Sequence, residues 1–127
     1  MIIYRPVDIE DEIRRALKDF FTVYVRPLPA DFAVPSLLIT ATGGTSENNI
    51  DVFTVAIDAR AETDAEADEL VRNALGVLEQ ITKEQVGALR FMTLNALANW
   101  RTDPVRPELK MRTITAQVYA HREKINF

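Results

Sequence analysis

The stretch from Ser36 to Ile81 decides the fold: SLLITATGG (36–44), a polar TSENN (45–49), IDVFTVAIDARA (50–61) and ETDAEADELVRNALGVLEQI (62–81). Ser36 to Thr42 is short, apolar and partly β-branched, the composition of a strand buried on both faces. Gly43-Gly44 is expected to break it with a turn, because glycine enters positive φ at little cost. Thr45 to Ile50 is then expected to project as a loop that stays mobile until a partner binds. From Asp51 the pattern alternates, with Phe53, Val55, Ile57 and Ala59 on one face and Val52, Thr54, Ala56 and Asp58 on the other.

A second helix begins at Thr63. Glu66 completes a capping box with it, and Asp64, Glu66, Asp68 and Glu69 load the positive end of the helix dipole. Ala67, Leu70, Val71, Ala74, Val77, Leu78 and Ile81 form its buried stripe.

Upstream, Asp8 caps a first helix in which Ile9, Ile13, Ala16, Leu17 and Phe20 recur at three- and four-residue spacing. It is expected to end near Phe21, because Thr22 to Val25 favour strand and prolines follow. Those prolines, in RPLPADFAVP (26–35), make an extended connector. Downstream, Lys83 to Trp100 reads either as a turn followed by a strand over about 91–98 or as partly helical, the strand being preferred. Arg101 to Glu108 reads as a loop. Leu109 to Arg122 alternates again, Ile114, Ala116, Val118 and Ala120 facing in and Thr113, Thr115, Gln117 and Tyr119 facing out.

The expected fold is therefore a single α+β domain: a mostly antiparallel β-sheet with two main helices packed on one face, in the order α-β-β-β-α-β-β. A chain of 127 residues suffices for one hydrophobic core. The apolar start MIIYRP is too short for a signal peptide or a membrane span, so a cytoplasmic site of synthesis and no membrane partner are expected. No cysteine is present, which excludes a disulfide framework, a thiolate nucleophile and a thiolate zinc site. The net charge of −4 argues against strong non-specific nucleic-acid binding.

Each chemical reading competes with a plainer one. The acidic cluster Glu62, Asp64, Glu66, Asp68 and Glu69 suggests a cation site, but a helix disperses such side chains around its axis. His121 stands without a local nucleophile or an orienting partner. Gly43-Gly44 lacks the longer glycine pattern, opening into a helix, that phosphate loops require. No catalytic set, cofactor or metal site is therefore expected. Arg101, Arg106, Lys110, Arg112, Arg122 and Lys124 gather late in the chain, suited either to nucleic acid or, the preferred reading, to an acidic partner such as the acidic helix start of a second copy. Phe32, Trp100 and Phe127 either fold back on the core or anchor an interface.

In the order of its elements the chain resembles the tail terminator, or tail completion, proteins of long-tailed bacteriophages and prophages. The corresponding pieces are the helix at 8–21, the proline connector at 26–35, the strand ending Thr-Gly-Gly at 37–44, the alternating strand closing on Ala59-Arg60-Ala61, the Ala/Glu-rich helix at 63–81, and RTITAQVYAHR at 112–122. The family's frequent tryptophan near the end of the second strand is replaced here by Asp58, Ala59 and Arg60. The resemblance implies a non-enzymatic virion part at the head-proximal end of the tail. Such a protein forms a homo-oligomeric ring, commonly a hexamer, that caps the tail tube, stops its polymerisation and provides the head-tail joining surface. Its implied partners are its own copies, the tail tube protein, the head-tail connector, and DNA that passes through the lumen without tight binding. Thr45, Ser46, Glu47, Asn48, Asn49, Trp100, Arg101, Arg106, Arg112 and Tyr119 are the candidate interface residues. The alternative is a small non-enzymatic α/β ligand-binding or regulatory module outside a virion, which should possess an apolar pocket with converging polar groups.

Overall fold

Thr63 accepts a hydrogen bond from the Glu66 amide in the computed structural model, which describes residues 1–104 and 106–127, with the side chains of 95–98 left aside. The helix so capped, α2, runs Asp64–Glu84 and stops where Gln85 turns left-handed at φ +56°. The first helix, α1, is Ile9–Leu17, capped by Asp8. The strands are β1 (Ile2–Arg5), β2 (Val23–Val25), β3 (Ser36–Glu47), β4 (Ile50–Ala61), β5 (Leu89–Thr102), β6 (Lys110–Ala120) and β7 (Glu123–Asn126). The order is the expected one, with two short terminal strands added to it.

The main sheet has the order β2-β3-β4-β6-β5, and only the β2-β3 pair is parallel. Both helices pack on one face of it. Ile13 and Leu17 of α1 and Val71, Ala74 and Leu78 of α2 meet Leu37, Ile39, Val55, Ile57, Ile114 and Val118 in one core. The alternation read in β4 and β6 is the observed one, since Val55, Ile57, Ala59, Ile114, Ala116 and Val118 are buried. Burial of this apolar area, at about 25 cal/mol per Å², is what holds the helices to the sheet.

Several boundaries differ from the sequence reading. Helix α1 ends at Leu17, and Phe20, expected on its buried stripe, is 63% exposed. Its amide bonds back to the Leu17 carbonyl at 3.0 Å, tightening the chain into a turn that swings the ring outward. Strand β3 is buried on one face only: Leu37 and Ile39 are covered, whereas Leu38 and Thr40 are half-buried. Gly43-Gly44 does not end that strand. It lies within β3, just after a bulge between Ala41 and Gly43, and the strand continues paired with β4 to Glu47. The turn is instead Asn48-Asn49, both left-handed at φ +53° and +64°, between the paired Glu47 and Ile50. Two consecutive left-handed residues match the right-handed twist of a hairpin, and asparagine tolerates that conformation. The expected Thr45–Ile50 loop is thus a two-residue turn on a long hairpin.

Strand β5 begins before and ends after the expected 91–98, taking in Arg101 and Thr102 from the expected loop. The side chain of Leu97 and all of Val105 lie outside the described residues. Strands β1 and β7 pair antiparallel as a separate ribbon that joins the chain ends. Neither is legible as a strand in the sequence, because four residues without periodicity give no local signal.

Candidate functional site

The ten candidate interface residues fall at opposite ends of the sheet. Thr45, Ser46, Glu47, Asn48, Asn49 and Tyr119 lie at the end marked by the pair Asp51 and Ala120; Trp100, Arg101, Arg106 and Arg112 lie toward the pair Ala61 and Lys110. Ten strand steps separate those pairs, roughly 33 Å at 3.3 Å per residue.

At the hairpin end both edges of the sheet are open. Strand β2 covers β3 only from Leu37 to Ile39, and the Glu10 carboxylate then accepts from the Ala41 amide at 3.0 Å. Burial pushes the Glu10 carboxyl up, but the Arg26 guanidinium and the Ala41 amide outweigh it and its pKa lies below 4.5. From Thr42 to Glu47 every residue is exposed. On the other side β5 is the edge strand. Between them a lateral row crosses the sheet, Thr45 opposite Val52, Val52 opposite Tyr119, and Tyr119 opposite Phe91. The Tyr119 and Phe91 rings meet edge to face, centroids 5.4 Å apart.

The hairpin is pinned from the helix side of the sheet. Arg122 donates to Asp51 at 3.0 and 3.1 Å and to the Ser46 hydroxyl at 3.0 Å, and that hydroxyl donates to Asp51 at 2.7 Å. Hydrogen bonding to Arg122 and Ser46 holds the Asp51 carboxyl below the usual 3.8 although burial opposes it.

Beside this end the terminal ribbon leaves a groove of about 920 Å³, lined by Ile2, Ile3, Tyr4, Ile50, Phe91 and Tyr119, with Asn49, Arg90, Ala120, His121 and Arg122 completing the wall. The ribbon is held by an Arg5–Glu123 ion pair at 2.5 Å and by the Phe127 amide donating to the Met1 carbonyl at 2.6 Å. Met1, Ile2, Tyr4, Ile50, Val86, Phe91 and Phe127 are exposed, and all lie at this end; Phe20 and Trp100 are the exposed large hydrophobics described elsewhere. So concentrated an apolar surface marks a site of association.

At the far end Arg106 and Arg112 both turn to partners within the chain. The Arg112 guanidinium stacks on Trp100, 3.4 Å from the ring centroid, and reaches Asp68 of α2 at 3.8 Å. Arg112 therefore meets the acidic helix start of its own chain. Arg106 lies 4.8 Å over the Phe32 ring, donates to the Phe32 carbonyl at 3.1 Å, and pairs with Glu108 at 3.4 Å. Phe32 is 4% exposed and belongs to the interior, whereas Trp100 and Phe127 stay exposed. Arg101 is exposed beside Trp100 and Lys110.

Sequence reasoning missed the buried Arg60–Asp103 pair, Asp51 and Phe91. Arg60 and Asp103 are 43 residues apart on a strand and a connector, and no spacing links them. Along the chain Asp51 is legible only as the start of an alternating strand. Among the described residues no group of three or more His, Asp or Glu side chains is arranged to hold a metal ion, and no described helix is long and apolar enough to cross a membrane. Comparison with protein-family models finds no match to this chain, and comparison with curated protein sequences finds none either.

Proposed function

We propose that the chain is a non-enzymatic virion subunit that assembles as a homo-oligomeric ring, caps a phage tail tube, ends its polymerisation and offers the head-tail joining surface. The observation that carries this reading is the hairpin end, where two unlike open sheet edges flank a concentration of exposed apolar side chains. Unlike edges on one subunit form a heterologous contact, the kind that closes into a ring. The sheet face away from the helices also suits a lumen. Across its middle it carries Thr54, Ala56, Thr115 and Gln117, none of them charged, so DNA would slide past it without being held. The resemblance in element order points to the same assembly, with the tube protein below and the connector above.

The test is tube growth. Adding the purified protein to polymerising tail tube subunits should shorten the tubes and leave a ring at one end by electron microscopy. Unchanged tube lengths and bare ends would overturn the reading.

The 920 Å³ groove favours a second reading, a ligand-binding or regulatory module, because its apolar floor is bordered by Arg90, His121 and Arg122. That reading requires a small amphipathic anion to saturate the isolated chain, measurable by calorimetry.

A further inference from the structure

We propose that successive copies of this chain join edge to edge, the Gly43–Glu47 stretch of β3 in one copy pairing antiparallel with the Phe91–Leu94 stretch of β5 in the next. The proposal rests on the ring reading above and names the surface by which such a ring closes.

The two edges are available and matched in length. Strand β3 has no neighbour on its outer side once β2 and the Glu10 carboxylate are passed, and β5 ends the sheet. Register shifts interrupt β3 between Ala41 and Gly43, and β5 between Leu89 and Phe91 and again between Leu94 and Ala96. Bulges of this kind normally blunt an edge. Here they leave one regular stretch on each side, Gly43 to Glu47 and Phe91 to Leu94, both at the hairpin end.

Strand direction is also right. β3 is antiparallel to β4, β4 to β6, and β6 to β5, so β3 and β5 run opposite ways. Rotation about an axis along the strands preserves direction, so β5 of one copy meets β3 of the next antiparallel, the more stable pairing.

The side chains select a second copy as the occupant. Glu47 on one edge and Arg90 on the other lie at the same end of the sheet, and neither makes an ion pair among the described residues; Arg90 Nη1 donates only to the carbonyls of Gln85, Gly87 and Leu89. Opposite charges on the two edges are complementary between copies. The β3 edge offers Gly43, Gly44, Thr45 and Ser46, small enough to leave room for the exposed Phe91 ring. Thr45, Val52, Tyr119 and Phe91 already form one row across the sheet, and Thr45 of the next copy would extend it beyond Phe91.

Facing rules limit the register. Thr45, Phe91 and Thr93 lie on the same face through their partners Val52, Tyr119 and Gln117, and a one-residue slip would put opposed side chains on opposite faces. Two registers two residues apart therefore remain, one setting Thr45 opposite Phe91 and the other setting it opposite Thr93.

The chain has no cysteine, which makes a clean test. Thr45→Cys is combined with Phe91→Cys in one variant and with Thr93→Cys in another, and each full-length protein is mildly oxidised, alone and with tube subunits. Within one subunit three inter-strand spacings, roughly 14 Å, separate Thr45 from Phe91, well beyond the ~7 Å Cα limit for a disulfide. The expected result is a ladder on non-reducing gels that passes the dimer for at least one pair, whereas the single-cysteine variants stop at dimers. Both pairs stopping at dimers, with thermal melts matching the parent, would overturn the proposal. Tube capping by the parent protein is scored in parallel. Capping without a ladder removes edge pairing and leaves the function standing; a ladder without capping does the reverse.

Discussion

The Arg60 guanidinium donates from Nε to Asp103 at 2.7 Å with both side chains almost wholly buried, and Phe32 closes over it with its ring centroid 5.7 Å away. This relationship fastens the 26–35 connector and the loop after β5 to the face of the sheet away from the helices. It depends on compensation, since a buried charge without its partner is far costlier than a charge in water.

Asp103→Ala should therefore destabilise the fold by up to about 3–5 kcal/mol, because Arg60 would remain buried with Asp58, 3.9 Å from Nη1, as its remaining counter-charge. Denaturant unfolding measures the loss. Replacing both residues with apolar ones of similar volume should recover most of it, and a double variant as unstable as the single one would show that burial of Asp103 itself matters more than the pairing.

Gly44 lies at φ +159°, and a Cβ there would run into the Val52 carbonyl oxygen, which is fixed backbone of the neighbouring strand. Gly43, at φ +147°, faces open space. Gly44→Ala should thus cost more than Gly43→Ala, about 2–4 kcal/mol against about 1–2 kcal/mol, since the second suffers backbone strain alone. Equal melting temperatures for the two would contradict the close approach.

Gly76 sits inside α2, where a Cβ would meet nothing within 4 Å. Gly76→Ala should stabilise the protein by about 0.5–1 kcal/mol through helix propensity. A lowered melting temperature would mean that this helix face is not free. Thr63→Ala at the start of the same helix should remove about 1 kcal/mol with the lost cap.

Acid should loosen the hairpin. The folded pKa of Asp51 lies below 3.8, so its contribution is fully present above that value and is lost as pH falls through the depressed folded value. The parent protein should lose stability below about pH 4, and Asp51→Asn should be less stable at neutral pH but with a shallower acid slope. Parallel slopes in acid unfolding would remove Asp51 from the account.

The sequence was most legible where structure is local. Thr63 and Glu66, followed by the stripe through Ala67, Val71, Ala74 and Leu78, announce α2 to within a residue at its start. Strict alternation in β4 and β6 gave the buried face of the sheet. The glycine pair misled because positive φ serves a bulge as well as a turn, and only the register with Val52 and Phe53 distinguishes them. For the candidate site, residues 45–49 and Tyr119 lie at one end of the sheet and Trp100, Arg101, Arg106 and Arg112 toward the other, a division that no spacing along the chain announces, and the open edge beside the first group is equally invisible there.

By itself, then, the sequence determined the two-layer α+β plan, its element order and the faces that make the core, because hydrophobic period and capping act between residues a few positions apart. Tertiary structure alone decided that the chain ends meet in a ribbon, that Arg60 and Asp103 find each other, that Arg112 lies between Trp100 and Asp68, and that β2 stops short enough to leave β3 bare. Each of these depends on which distant segments lie side by side, and that is set by packing of the whole core, not by any pattern along the chain.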